Sequence, residues 1–157
     1  MKTGLTTLAV AACVMTIGQL AMMQSAAAQE DTAATEATSL YERLGAWDGI
    51  EQIVWDTIDL HMNNPVIKRY FKGVDVEQLA AHVTAFFAAG TGGPSRYEGR
   101  DMMTTHAGMN MSDADFDSAV ADVMTAVSQS GVDEASQAEV AAILESLRPA
   151  VMGTTTQ

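Results

Sequence analysis

The chain has 157 residues, with 8 Lys and Arg against 20 Asp and Glu and a formal net charge of −12. So acidic a surface repels phosphate, which argues against nucleic acid and anionic membranes as partners. A single cysteine, Cys13, excludes a disulfide framework, a thiolate metal site and any CxxCH attachment of a cofactor.

Residues 1–28 are expected to be a signal peptide. Lys2 supplies a small positive start, Leu5 to Met23 is largely apolar and uncharged, and Ala26-Ala27-Ala28 is a small-residue cleavage site before Gln29. Two other readings, a retained anchor helix and a lipid-attachment box at Val10-Ala11-Ala12-Cys13, fit less well. The apolar run is marginal for a span, and lipidation would leave Val14 to Ala28 dangling. In each case the protein is exported, with the periplasm as the expected destination and no membrane insertion once the signal is removed. Removing 28 of 157 residues leaves 129, enough for one domain, and takes Lys2 away, so that seven basic residues face 20 acidic ones, a net −13.

Residues 29–38 (QEDTAATEAT) lack large apolar side chains and are expected to form a disordered acidic leader. Ser39 with Glu42 reads as a capping box that opens a short helix to about Leu44. Asp48 is placed to cap a longer helix, whose apolar positions Ile50, Ile53, Val54, Ile58 and Met62 recur at threes and fours until Asn63-Asn64-Pro65 ends it. A helical turn over Val66 to Phe71 follows. Asp75 with Gln78 caps a helix carrying Leu79, His82, Val83, Phe86 and Phe87 on one stripe, broken by Gly90 to Pro94. After a loop through Tyr97-Glu98-Gly99, a short helix carries Met102, Met103 and His106 and closes at Gly108. Ser112 with Asp115 caps the next helix, striped with Phe116, Ala119, Val120, Val123, Met124 and Val127. A last helix runs from about Asp133 to Leu147, stopped by Pro149. No segment alternates with period two, so the domain, residues 39–153, is expected to be all-α.

His82 and His106 each sit on an apolar stripe, 24 residues apart, with a Gly92-Gly93-Pro94 turn between them. A core histidine bonded to a carbonyl is the plain reading of either one alone. Two on facing stripes point to a shared cavity with one imidazole from each side. Zinc is poorly supplied, because the helical neighbours of both residues are Gln, Leu, Ala, Phe, Met and Asn rather than carboxylates. Haem fits better, since the porphyrin brings four nitrogens and asks the protein for axial imidazoles, an apolar slot and counter-charges. Five of the mature chain's seven cations, Lys68, Arg69, Lys72, Arg96 and Arg100, lie between residues 68 and 100 and could hold an anionic group; of these Lys68, Lys72, Arg96 and Arg100 are candidates for the counter-charges. His61, near the end of the second helix among polar residues, reads as a surface residue.

These residues resemble the truncated haemoglobins, most closely group I. The matching pieces are Leu40-Tyr41-Glu42-Arg43-Leu44-Gly45, Tyr70-Phe71 before Gly73, Phe86-Phe87, Gly92-Gly93-Pro94, the run Tyr97-x-Gly99-Arg100-x-Met102-x-x-x-His106, Phe116 and the Gly131-Val132 turn. The resemblance covers roughly Ser39 to Met152. It implies a two-over-two helical sandwich around non-covalent haem b, with His106 as proximal iron ligand and Phe71 packed on the haem. It also implies that His82 matches a position from which some members bind the sixth site of the iron. A tyrosine common in the family's second helix is Ile58 here, a family glutamine is Val83, and another pocket position is Leu79. No histidine follows His106, so the covalent histidine–haem crosslink of some relatives cannot form. The implied function is binding of diatomic gases (O2, NO, CO), as simple binding or transport or as oxidation of nitric oxide with an unidentified reductase. Electron transfer by a bis-histidine haem is the alternative, and a haem-free helical module that binds a partner through its acidic surface is the third.

Overall fold

The computed structural model describes residues 38–153; the expected signal peptide, nearly all of the acidic leader and Cys13 lie outside the described residues. Among the described residues there are six α-helices, α1 (Leu40–Arg43), α2 (Ala46–Asn63), α3 (Val76–Gly90), α4 (Met102–His106), α5 (Asp113–Gln129) and α6 (Glu134–Val151), with a 3-10 turn at Lys68–Phe71. No strand occurs among the described residues.

Local chemistry sets most of the boundaries. The Ser39 and Ser112 hydroxyls accept from the backbone N–H of Glu42 and Asp115, and both capping boxes are closed by the return bond. Asp75, Asp101 and Asp133 cap α3, α4 and α6 by accepting from Gln78, Thr104 and Ser136. Two boundaries differ from the sequence expectation. Helix α2 starts at Ala46 rather than at an Asp48 cap, because Gly45 takes a left-handed conformation at φ 87° and its carbonyl already accepts from the Gly49 N–H at 3.1 Å. Helix α6 does not stop at Pro149 but continues to Val151. So near the end, proline forfeits one intrahelical bond, and the Arg148 carbonyl still accepts from Met152 N–H at 2.9 Å.

Helix α2 packs against both α3 and α5, α5 packs against α6, and α4 lies against α6. The core between them holds Ile50, Ile53, Val54 and Ile58 of α2, Ala80 and Ala88 of α3, Ala126 and Val127 of α5, and Val140 and Leu144 of α6. Burial of these side chains is the main stabilising term, at about 25 cal/mol per Å² of apolar surface. Arg43 ties α1 to α6, donating to Ser136 Oγ at 2.9 Å and pairing with Glu139 at 2.7 Å. The result is two helix pairs, α2 with α3 and α5 with α6, stacked so that α3, α4, α5 and α6 enclose an apolar cavity.

Candidate functional site

The cavity follows from the stripes. On α3, Leu79, His82, Val83, Phe86 and Phe87 fall on one face at spacings of three and four, and all of them line a space of about 540 Å³. Across it stand Met102, Thr105 and His106 of α4, Met111, and Phe116, Ala119, Val120 and Val123 of α5, with Leu144, Leu147 and Val151 of α6 closing one side. The two histidines thus reach one cavity from different helices. His82 is exposed, whereas His106 is half-buried.

His106 is oriented by its own helix. Its Nδ1 lies 2.8 Å from the carbonyl oxygen of Met102, one turn back. A carbonyl only accepts, so Nδ1 carries a proton, and in the neutral form of the ring the lone pair is then on Nε2. That is the state an imidazole needs in order to ligate a metal, with the second hydrogen bond fixing ring orientation.

The segment before α4 is locked around Tyr97. Its hydroxyl donates to the Arg100 carbonyl at 3.1 Å, and its ring meets Phe86 edge-on, with centroids 5.3 Å apart and planes at 84°. A Cβ on residue 99 would sit 2.1 Å from the Tyr97 hydroxyl oxygen, so only glycine fits beneath it. The Tyr-x-Gly-Arg run is thereby a compact loop that brings Arg100 to the cavity wall and starts α4 in register.

A second, inner cavity of about 180 Å³ adjoins the first, sharing Leu79, Val83, Phe87, His106 and Val123. Its other walls are Ile53, Val54, Thr57, Ile58 and His61 of α2, and Phe71.

Of the residues singled out in the sequence, Leu79, His82, Val83, Phe86, Tyr97, Arg100, Met102, His106 and Phe116 line the main cavity, and Ile58 and Phe71 line the inner one. Arg96 is exposed and lines neither. The five clustered cations do not converge. Arg100 alone of them reaches the cavity, while Arg69 pairs with Asp115 at 2.7 Å and Lys68 and Lys72 stay outside the lining. His61 is not a surface residue. Its side chain is 12% exposed, it lines the inner cavity, its Nδ1 lies 2.9 Å from Asp122 Oδ2, and its ring packs on Phe71 with centroids 5.2 Å apart. Sequence reading missed this because Asp122 is 61 residues away in the chain and Phe71 comes back to the ring only through the turn after α2. Thr57 and the α6 wall were missed too. The i, i+4 spacing of Thr57 and His61 was the available signal.

An apolar slot with one imidazole whose Nε2 is free, a second imidazole on the opposing helix and one guanidinium at the wall fits a haem held without covalent bonds. No group of three or more His, Cys, Asp or Glu able to hold a bare metal ion occurs among the described residues.

The comparisons agree with this geometry. Residues 39–153 match the family described as bacterial-like globin. The group 1 truncated haemoglobin of Tetrahymena pyriformis is 27% identical over 115 residues, covering 73% of this chain and 95% of the relative. The group 1 truncated haemoglobin of a Synechocystis species is 30% identical over 110 residues, covering 68% of this chain and 89% of the relative. The crystal structure of the Tetrahymena pyriformis protein in its Fe(III) form superposes with a TM-score of 0.70 at 26% identity, covering 73% of this chain and 97% of that one. The two-over-two stack, the oriented His106 and these matches together place the chain among the bacterial-like globins, as a truncated haemoglobin of group 1, a family of haem b proteins that bind diatomic gases.

Proposed function

We propose that this protein is exported and binds diatomic gases at a haem iron held by His106, with His82 as a second, displaceable ligand. The observation that supports the haem part of the reading is the 2.8 Å contact between His106 Nδ1 and the Met102 carbonyl, which leaves Nε2 open to a ligand. When bound, the haem supplies an iron centre that takes O2, NO or CO. The chain's part is to orient the proximal imidazole, to keep water from the slot with Val83, Phe86, Phe116 and Val120, and to offer Arg100 as a counter-charge. His82 lines the same cavity from α3 and is the residue there able to compete with a gas from the opposite side. Export rests on residues 1–28, whose charged start, apolar run and Ala26-Ala27-Ala28 site have the composition of a cleaved signal.

The second reading, electron transfer at a haem iron that both histidines would hold, is favoured by Ile58 and Val83, which offer bound oxygen no hydrogen bond. Absorption spectra of the purified ferric and ferrous protein, with and without carbon monoxide, decide. Six-coordinate low-spin spectra, with carbon monoxide binding limited by His82 dissociation and accelerated in His82→Leu, are expected. A high-spin wild type removes both the His82 ligand and the electron-transfer reading while leaving His106 in place. Export is tested by fractionation and N-terminal sequencing, with a mature start at Gln29 expected.

A further inference from the structure

Helix α2 is covered on one side and bare on the other. Ile50, Ile53, Val54 and Ile58 are buried in the core, while Trp47, Glu51, Trp55, Asp59 and Met62 are exposed. Their spacings of four, four, four and three put these five side chains on one outer stripe. Asp48, two turns before Trp55, is exposed on the same side.

Trp47 and Trp55 are the only two tryptophans of the chain and are 39% and 38% exposed, with Met62 at 45%. A single exposed apolar side chain is ordinary. Two tryptophans and a methionine in one row form a patch, and tryptophan is among the residues that most often anchor protein interfaces. Neither tryptophan lines the main or the inner cavity, so gas binding at His106 leaves both unused.

Charge says what chemistry would cover the row. From Ala46 to Asn63 the chain has four acidic residues, Asp48, Glu51, Asp56 and Asp59, and no Lys or Arg. The one imidazole of the helix, His61, is engaged on the inner side with Asp122. Arginines that form ion pairs spend them elsewhere, Arg43 on Glu139, Arg69 on Asp115 and Arg148 on Asp117 and Glu145. Among the described residues no Lys or Arg pairs with Asp48, Glu51 or Asp59. The stripe is therefore two indoles set between carboxylates that lack a cation. A Lys or Arg laid on it gains from both, as a charge-assisted hydrogen bond to the carboxylate and as a cation over the ring. The same charges repel a second copy of this chain, which carries a net −12, and an anionic lipid surface.

We infer that the outer stripe of α2, from Trp47 to Met62, is a docking surface for a partner protein that presents Lys or Arg around an apolar centre. Ile53, Val54, Thr57 and Ile58 on the opposite side of the helix line the inner cavity, so a partner seated there lies one helix diameter, about 10 Å, from that cavity. The surface does not depend on the haem reading.

The test is fluorescence anisotropy of a dye-labelled amphipathic helical peptide of Leu and Lys, titrated with the mature haem-loaded protein at low and at physiological salt. The wild type is expected to bind it, more weakly as salt rises, and to ignore the same peptide with Glu in place of Lys. Trp47→Gln with Trp55→Gln should weaken binding about tenfold at both salt concentrations. Glu51→Gln with Asp59→Asn should weaken it at low salt and flatten its salt dependence. Glu77→Gln with Glu134→Gln removes the same charge outside α2 and should change it by less than about twofold. All six side chains are exposed, so haem content and circular dichroism should stay at wild-type values, and single Trp55→Gln carries the comparison if a double variant folds poorly. Equal binding by wild type and the tryptophan variants, or an equal loss in the Glu77 and Glu134 variant, overturns the surface. So does a dimer in sedimentation velocity that Trp47→Gln with Trp55→Gln dissolves, which gives the stripe to a second copy. Binding to vesicles of phosphatidylcholine and phosphatidylglycerol that the tryptophan variants lose gives it to lipid and overturns the protein partner.

Discussion

In the proposed function, the hydrogen bond from His106 Nδ1 to the Met102 carbonyl is the smallest unit on which haem binding would depend, because it leaves Nε2 as the nitrogen open to a ligand. His106→Ala is expected to abolish stable haem binding while leaving the helix content unchanged. Soret absorbance after gel filtration, set against far-ultraviolet circular dichroism, checks it, and full retention of haem by the variant excludes His106 as the proximal ligand. Gly99 acts at the same scale through space rather than charge. A methyl group there collides with the Tyr97 hydroxyl and ring at 2.1–2.7 Å, so Gly99→Ala must expel Tyr97 from its place against Phe86. Haem loss to apomyoglobin should become about tenfold faster, equivalent to ~1.4 kcal/mol. The Gly99→Ala, Tyr97→Leu pair should cost no more than Tyr97→Leu alone, and additive effects of the two substitutions would exclude the steric account.

At the scale of the element, the start of α5 shows how a helix is anchored to a distant segment. Ser112 caps the helix, Asp115 accepts from the Ser112 N–H at 2.9 Å and hydroxyl at 2.8 Å, and the same carboxylate takes Arg69 at 2.7 Å and the Tyr70 hydroxyl at 3.0 Å. The capping box therefore also fastens the 3-10 turn that carries Phe71 to the inner cavity. Ser112→Ala removes the cap and is expected to cost about 1 kcal/mol. In a domain of this size that is a fall of roughly 4 °C in Tm, measured by thermal melts. If the turn hangs on this carboxylate, Asp115→Asn should also alter the haem spectrum while Ser112→Thr does not. An unaltered spectrum in Asp115→Asn separates the two segments.

Across the whole molecule, titration links the pieces. Burial lowers the pKa of His61 below its ordinary value of 6.5, against the opposing pull of Asp122. Between the lowered folded value and 6.5 the unfolded chain binds more protons, so this contribution to stability is fully present above 6.5 and is lost as pH falls through that window. Three carboxylates work at lower pH. Hydrogen bonds from Ser112, then the Arg69 pair, hold Asp115 well below its ordinary 3.8, and Thr104 and Ser136 lower Asp101 and Asp133 in the same way. Their contribution is present above 3.8 and is lost as pH falls further. Thermal melts across pH should therefore show two falls. The upper one should vanish in His61→Leu and the lower one should remain. A wild-type Tm that is flat between about pH 7.5 and 5.5 rules out the His61 contribution.

Much of this was written in local sequence. Ser39, Asp75, Ser112 and Asp133 cap the helices they announce, because a side-chain oxygen meets a backbone N–H two or three residues on and needs nothing from the rest of the fold. The facing stripes that put His82 and His106 on one cavity are equally legible, since helical periodicity fixes which side chains share a face. The tertiary structure decided what depends on partners remote in the chain. Arg69 leaves the cation cluster for Asp115, 46 residues away, and His61 turns inward to Asp122, 61 residues away, because a charge or an imidazole goes where packing supplies a partner. Helix α6 runs through Pro149 because its last turn lies against the cavity, where Val151 forms part of the wall. Thr57 and His61 belong to both levels: their spacing of four is in the sequence, and the inner cavity they line exists only once α2, α3 and α5 have packed.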